Sequence, residues 1–368
     1  MFVPQPDREE VGAHGVLRRQ RERGEHRAFP RTPELYRVPV DVDPDWPEER
    51  NDDPRHARSI ARRDQTVTGA VDDRGATSRT GDTVQSSLDA GHVQRAQDAT
   101  LALNELEFHY REWGDPAAQT LVLLHGVLAA AETYDALAAA LATTRRVIAL
   151  DQRGHGRTEH ASDYSWPCWV DDLAAFWDAL ELDGADVVGH SMGANNAARF
   201  AGRHPDRVRR AVLVDGGFGP TNSPDADAYW AKVFQLFPAD GFGSLDAYVD
   251  LALRLFPRAS RSVIAEGTGS FVRDDTGRWR WPHMADLAVL AADPREPTAE
   301  EVRLLRAATT CPVLVVRAEH SELFTGNAFR ATAAEYPDGR SAVLAACGHM
   351  IMWENVNGLV ALVDDFLN

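Results

Sequence analysis

A short apolar segment that breaks into a serine-centred turn constrains this chain more than any other stretch. Residues 186–189 have the composition of a buried strand, Ser191 follows them, and helix-forming residues begin at Ala194. Gly189 and Gly193 lie two positions either side of the serine, which gives the Gly-x-Ser-x-Gly pattern of a nucleophile elbow. In such an elbow a tight, strained turn exposes the hydroxyl, and the amides that begin the next helix point to the same place. The pattern therefore predicts a reactive serine.

A five-residue pattern also fits a glycine-rich turn that contains an incidental serine. The rest of the sequence is needed to distinguish a nucleophile elbow from such a turn. From residue 99 onward, apolar segments with strand character alternate with helical ones. Strands are predicted at 101–103, 106–113, 121–124, 147–150, 186–189, 208–214, 312–316 and 341–345, and helices at 132–142, 170–182, 328–335 and 353–366. This alternation predicts an α/β fold with a mostly parallel eight-stranded sheet flanked by helices.

The predicted core is interrupted once. Residues 218–305 are rich in Phe, Tyr and Trp with helical spacing, and they stand between the sixth and seventh predicted strands. An insertion at this place lies over the carboxyl ends of the strands, so we interpret it as a helical cap or lid. The alternative is a second folding unit with no part in binding. The α/β core then comprises residues 99–217 and 306–368.

Residues 1–98 differ from the rest of the chain, because Arg, Asp, Glu, Gly, Pro and Thr dominate and apolar residues are isolated. No period of 2 or 3.6 residues is sustained there, which is typical of a mostly disordered, polar extension. Its mixed charges favour a solvated segment over a binding patch.

Charge and cysteine content narrow the classes of partner. A net charge of −17 argues against nucleic acid and anionic membranes, and three widely spaced cysteines suggest neither disulfides nor a zinc site. The chain has no apolar run that is long enough to span a bilayer, and the residues after Met1 do not resemble an export signal. No motif for a nucleotide, flavin or metal cofactor occurs. We expect a cytoplasmic monomer or homodimer, without cofactor, that acts on a small molecule.

Taken together, residues 100–368 resemble the α/β-hydrolase superfamily. The matching motifs occur in the family's order: His-Gly at 125–126 after the third strand, Asp-Gln-Arg-Gly-His-Gly at 151–156 after the fourth, the elbow at 189–193 after the fifth, and Gly-His at 348–349 before the last helix. The resemblance does not cover the first 98 residues. It implies that Ser191 is a nucleophile activated by His349, and that no metal takes part.

The carboxylate that would orient His349 is less well defined. Most of the family takes it from the loop after the seventh strand, where this chain has Glu322 at the position of the family's aspartate. The loop departs from the family pattern in having Ala318 for a glycine and a glutamate for that aspartate. Some members take the acid from the end of the sixth strand, which here is Asp215. We favour Glu322, with Asp215 as the alternative and Glu319 third.

The resemblance also implies an oxyanion hole formed by the backbone amides of Met192 and Val127. It predicts a serine hydrolase that cleaves a small or medium, largely apolar ester or lactone through an acyl-enzyme. A carbon–carbon bond hydrolase of the same fold would use the same three residues. A non-catalytic binding protein is a third interpretation, although such a protein has no need of His349. Dehalogenases and epoxide hydrolases of this fold use an aspartate nucleophile, and Ser191 argues against both.

Overall fold

Most strands and helices of the α/β core lie close to the positions that apolar periodicity predicts. A computed structural model describes residues 95–217, 233, 236–238, 240–284, 297–321, 323 and 328–368. The predicted extension therefore lies outside the described residues except for its last four positions, 95–98. The first strand begins at Gln97, two positions before the predicted start of the core.

In the described residues, eight strands form the central sheet, and four short strands lie in the segments that connect them. The strands are β1 Gln97–Leu103, β2 Leu106–Trp113, β3 Thr120–Leu124, β4 Arg146–Leu150, β5 His155–Gly156, β6 Ala185–His190, β7 Val208–Val214, β8 Val272–Arg273, β9 Trp279–Arg280, β10 His283–Met284, β11 Val313–Ala318 and β12 Gly339–Leu344. The eight-stranded sheet has the order β1-β2-β4-β3-β6-β7-β11-β12. β2 is antiparallel to β1 and β4, and all other neighbours are parallel. The predicted α/β fold is confirmed.

Helices connect most of these strands. They are α1 Asp135–Leu141, α2 Trp166–Ala179, α3 Met192–Arg203, α4 Leu245–Leu255, α5 Arg261–Glu266, α6 Ala299–Ala308, α7 Ala328–Ala333, α8 Ile351–Glu354 and α9 Val356–Leu367, and a 3₁₀ turn covers Ala131–Tyr134. The helix predicted at 132–142 is thus a 3₁₀ turn followed by α1. The helix predicted at 353–366 is broken at Asn355, whose side chain accepts a hydrogen bond from Gly358 N (3.0 Å) and so caps α9. None of the helices in the described part of the chain has the length and apolar character that crossing a bilayer requires.

The core has two apolar layers, one on each face of the sheet. Along β3, Leu121 and Leu123 belong to one layer, and Val122 and Leu124 belong to the other. This alternation follows from the two-residue period of a strand, and burial on both faces explains why the strand is apolar throughout. Helices on both faces fix the carboxyl ends of the parallel strands at one edge of the sheet.

The inserted segment between β7 and β11 is described in part, from residue 233 to residue 284 with gaps and again from residue 297. It contains α4 and α5, but Trp279 lies in β9, which pairs with β8, so the helical spacing that we predicted for this residue is wrong. β10 pairs with β5 antiparallel, with His283 opposite Gly156. This backbone pairing attaches the insertion to the loop after β4.

Candidate active site

Ser191 occupies the predicted turn between β6 and α3. Its backbone has φ 54° and ψ −116°, and positive φ is unfavourable for a residue other than glycine. Ser191 N donates to Val214 O at the end of β7 (3.0 Å), and helix α3 begins at the next residue. A side chain at Gly189 would collide with the backbone of residue 193. The turn is therefore held in its strained form by close packing of the strand against the helix.

The loop after β3 passes directly against this turn. A Cβ atom at Gly126 would lie 3.0 Å from His190 Nδ1 and 3.1 Å from Ser191 Cβ, so a larger residue would require these two side chains to shift. Val127 follows in this loop, and Met192 is the first residue of α3; both are half-buried. The two predicted oxyanion donors thus belong to backbone segments on either side of Ser191.

A buried network of side chains holds the loop after β3. His125 Nδ1 donates to Gly126 O (2.8 Å), and His125 Nε2 accepts from Gln152 N (3.0 Å), which requires the neutral imidazole. Burial lowers the pKa of His125, in agreement with that form. The Gln152 amide donates to His125 O (2.7 Å) and accepts from Asn196 Nδ2 on α3 (2.8 Å). Gln152 belongs to the motif at 151–156, whereas Asn196 carries no motif by which the sequence alone could have identified it.

His349, the predicted base, lies in the loop between β12 and α8. Its ring centroid is 4.6 Å from that of His190, the residue before Ser191, and its own side chain is buried. His190 Nε2 donates to His349 O (2.8 Å), which links the elbow to the histidine loop. Burial, followed by the nearby His349, lowers the pKa of His190 well below its usual value, so His190 is a neutral donor. Nothing in the sequence indicated this contact.

The carboxylate of Asp215 contacts His349. Asp215 Oδ2 lies 2.7 Å from His349 Nδ1, and Asp215 is completely buried at the carboxyl end of β7, with φ 44°. Ala318 N donates to Oδ1 (3.0 Å), and Ser321 Oγ donates to Oδ2 (2.7 Å). Asp215 N in turn donates to Val316 O (2.7 Å). The carboxylate is therefore surrounded by donors from the segment at the end of β11 and from the loop after β12.

Glu322 and Glu319 are the other two candidate acids. Glu322, our first choice from the sequence, lies outside the described residues. Glu319 is half-exposed; its Oε2 accepts from Ala346 N (2.8 Å) and lies 3.7 Å from His320 Nε2. Asp215 is the acid that the structure brings to Nδ1 of His349.

A second buried carboxylate ties together the loops beside the site. Asp151, just after β4, accepts from Ala131 N (2.7 Å) and from Arg157 N (3.0 Å), and His109 Nδ1 lies 2.7 Å from its Oδ2. Burial lowers the pKa of His109, but hydrogen bonds to Asp151 and Asp98 and the charge of Asp151 outweigh it, so that the pKa is raised. Because Ala131 begins the 3₁₀ turn, Asp151 anchors the end of the loop that contains Val127.

The three cysteines form no disulfide and belong to no metal site among the described residues. Cys168, Cys311 and Cys347 are free, and burial raises the pKa of Cys311 to about 11 and that of Cys347 to about 12. Among the described residues, no group of three or more His, Cys, Asp and Glu side chains is placed to hold a metal ion.

Comparison with known proteins agrees with the α/β fold. The family model described as "alpha/beta hydrolase fold" matches residues 119–356. The chain belongs to the alpha/beta hydrolase family. The described triad candidates Ser191, Asp215 and His349 lie within the matched range.

Several curated relatives of the chain are named as hydrolases. It is 30% identical over 254 residues to a 2-(acetamidomethylene)succinate hydrolase from Mesorhizobium japonicum, and the alignment covers 68% of this chain and 87% of the relative. It is 28% identical over 236 residues to a 2-hydroxymuconate semialdehyde hydrolase from a Pseudomonas species, which covers 62% of this chain and 78% of the relative. The crystal structure of E-2-(acetamidomethylene)succinate hydrolase matches with a TM-score of 0.66 at 24% identity, over 74% of this chain and 99% of that one. This structural likeness supports the fold.

The His109–Asp151 pair predicts a pH-dependent stability. Because the pKa of His109 is raised in the folded state, its stabilising effect is complete below an unfolded-state pKa of about 6.5 and is lost as pH rises through the folded-state value. The difference in unfolding free energy between the wild type and His109→Gln, from urea denaturation, should be largest near about pH 6 and become smaller at higher pH.

His204→Gln is the matched control. Burial, followed by the charges of Arg207 and Arg203, lowers the pKa of His204, so its protonation disfavours the folded state. The stability of this variant relative to the wild type should therefore change with pH in the opposite direction. A difference for His109→Gln that is constant with pH, or that grows as pH rises, would contradict the interpretation of the pair.

Proposed function

We propose that this protein is a serine hydrolase that cleaves a small or medium, largely apolar carboxylic ester or lactone through an acyl-enzyme. Ser191 is the nucleophile, His349 the general base and Asp215 the acid that orients it. The observation that carries the proposal is the 2.7 Å contact between His349 Nδ1 and Asp215 Oδ2 beside a strained serine turn. Elsewhere in this family the same three residue types perform acyl transfer.

In the proposed first step, Asp215 accepts a hydrogen bond from Nδ1–H of His349, which leaves the Nε2 lone pair free to accept the Ser191 proton. Ser191 Oγ then forms a bond to the substrate carbonyl carbon. The proton moves to His349, and the buried Asp215 carboxylate stabilises the resulting imidazolium. A serine hydroxyl is a poor nucleophile without such a base, so the pair accounts for its activation.

The carbonyl oxygen becomes negatively charged in this step. We propose that the backbone amides of Met192 and Val127 donate to it, each contributing roughly 3 kcal/mol of transition-state stabilisation. His349 then gives its proton to the leaving alcohol, and the C–O bond breaks. A water molecule, deprotonated by His349, attacks the acyl-enzyme and releases the carboxylic acid and free Ser191.

Asp215 replaces Glu322 as the proposed acid for a physical reason. A carboxylate stabilises an imidazolium most strongly when it is buried, fixed and already hydrogen-bonded, because solvent then does not screen it. Asp215 meets all three conditions: it is fully buried, it accepts from Ala318 N, and it accepts from Ser321 Oγ. Glu322 remains the alternative.

Aromatic side chains of the inserted segment support an apolar substrate. Phe271 lies 4.5 Å from Trp281 and 4.8 Å from Tyr248 between ring centroids, in one cluster that continues into the core. Phe256 makes an edge contact at 5.5 Å with Trp353, which lies four residues after His349. The insertion therefore packs close to the histidine loop, where it would bound a pocket that selects apolar acyl or alcohol groups.

Carbon–carbon bond hydrolysis is the second candidate, because one relative is named a 2-hydroxymuconate semialdehyde hydrolase. It would use the same Ser191, His349 and Asp215. A non-catalytic binding role is less well supported, since binding alone gives no reason for a buried carboxylate to orient His349.

A fluorophosphonate probe tests the proposed class. We expect covalent labelling of the wild type, because an activated serine attacks phosphorus as it attacks a carbonyl carbon. Intact-protein mass spectrometry should find one added phosphonyl group, and Ser191→Ala should carry none. Folded wild-type protein that stays unlabelled, or Ser191→Ala that is labelled like the wild type, would contradict a serine hydrolase.

A comparison of Asp215→Asn with Glu322→Gln tests the choice of acid. Each change removes a charge while keeping the shape of the side chain. Asp215→Asn should lower kcat by roughly 10⁴-fold, because the imidazole loses its orienting acceptor. Glu322→Gln should stay within roughly threefold of the wild type, since the proposal gives Glu322 no part in orienting His349. The reverse order of kcat values would restore Glu322 as the acid.

A substrate panel separates the two candidate reactions. We expect kcat/KM to be highest for an ester or lactone, because departure of an alcohol needs only a proton on oxygen, whereas a carbon leaving group must be protonated on carbon. Amides belong in the panel because the Mesorhizobium relative is named for an acetamido compound. A higher kcat/KM for a vinylogous diketone would favour the carbon–carbon hydrolase.

A further inference from the structure

The loop after β11 has an unexpected relation to the carboxylate at the end of β7. Most relatives supply the acid from that loop, according to the resemblance described above, but here the loop supplies hydrogen-bond donors to an acid on the neighbouring strand. β11 runs parallel to β7, with Val316 opposite Val214. This register places the segment from Ala318 to Ser321 beside Asp215, where Ala318 N and Ser321 Oγ donate to its two oxygens.

Ser321 and His349 meet at the same oxygen atom. Asp215 Oδ2 lies 2.7 Å from Ser321 Oγ and 2.7 Å from His349 Nδ1. Ser321 is 4% exposed, Asp215 0% and His349 6%, so water does not weaken the interaction of the three groups. A carboxylate in this position only accepts, and the serine hydroxyl has one proton, so the hydroxyl proton points to Oδ2.

We propose that Ser321 is a positioning residue for the proposed acyl transfer: it fixes the carboxylate of Asp215 and limits how strongly that carboxylate stabilises protonated His349. The inference rests on the proposed function, because it describes how one of its three groups is controlled. Ser321 does not touch substrate in this account.

The positioning part follows from the geometry of the carboxylate. The torsion that turns a carboxylate about its Cβ–Cγ bond is soft, so a single hydrogen bond does not fix its plane. Ala318 N holds Oδ1 at 3.0 Å, and Ser321 Oγ holds Oδ2 at 2.7 Å. With both oxygens held, the lone pairs of Oδ2 that face His349 stay in one direction.

Ser321 limits the pull of Asp215 on protonated His349 because both side chains contact the same oxygen, Asp215 Oδ2. A hydrogen bond to a carboxylate stabilises its negative charge and makes the oxygen a weaker acceptor for a second donor. Without Ser321 Oγ, Oδ2 would attract the imidazolium form of His349 more strongly. A protonated His349 cannot act as a base, so the acidic limb of the pH profile should move to higher pH.

The experiment measures the second-order rate constant of fluorophosphonate labelling of Ser191 in the full chain, from about pH 5 to about pH 9. This readout needs the serine and its base but no knowledge of the substrate. Four proteins are compared: the wild type, Ser321→Ala, Ser321→Thr, which keeps the hydroxyl, and Thr309→Val. Thr309 is a matched control because its buried hydroxyl donates to Leu305 O (3.0 Å), away from Asp215.

Ser321→Ala should lower the plateau rate constant roughly tenfold, the effect of one hydrogen bond to a charged group. The midpoint of its acidic limb should move up by about half a pH unit or more. Ser321→Thr should return both values towards those of the wild type, and Thr309→Val should change neither. If Ser321→Ala does not fold, Ser321→Cys carries the test, because a thiol of similar shape is a weaker donor.

Two results would overturn the proposal. One is a Ser321→Ala profile that superimposes on the wild type in both plateau and midpoint. The other is a lower plateau with an unchanged midpoint, which would give Ser321 a purely structural role in the loop. Failure of the proposed function looks different, because the wild type itself would then not be labelled at any pH.

Discussion

The hydrogen-bonded carboxylate of Asp215 is the interaction on which the rest of the candidate site depends. It is fully buried, and it is tolerable there because Ala318 N, Ser321 Oγ and His349 Nδ1 surround it. These donors come from the end of β11, the loop after it and the loop after β12. Parallel pairing of β7, β11 and β12 brings all three segments to one edge of the sheet. The sheet order is therefore what makes a buried charge possible at this position.

The same edge also holds the serine turn and the loop opposite it. Ser191 N donates to Val214 O, next to Asp215 in the chain, and His190 Nε2 donates to the carbonyl of His349. The turn is therefore hydrogen-bonded to the strand that carries the carboxylate and to the loop that carries the histidine. On the other side, Gln152 joins His125 to Asn196 on α3. Each contact fixes a backbone segment, which suits a reaction in which the proposed oxyanion donors are main-chain amides. In the proposed reaction, rigid placement of these amides before the substrate reacts would lower the barrier.

Much of the fold could be predicted, because buried parallel strands are apolar throughout and glycines mark where backbones approach closely. The elbow at Ser191 and the loop at Gly126 are of this kind. The acid that orients His349 was harder to predict. Asp215 and Glu322 follow neighbouring strands, and spacing along the sequence does not indicate which side chain is buried against His349. Contacts such as His190 to His349 O arise only when distant segments pack together. Local side-chain capping was missed as well, so that one predicted C-terminal helix is two, divided at Asn355.

The most direct test of this account observes the proton between His349 and Asp215. An imidazole N–H that is hydrogen-bonded to a buried carboxylate is strongly deshielded and protected from exchange with water, so the proton NMR spectrum of the wild type at low pH should contain a far-downfield resonance. This resonance should be absent from His349→Gln and Asp215→Asn and present in Glu322→Gln. A resonance that persists in Asp215→Asn and disappears in Glu322→Gln would contradict it.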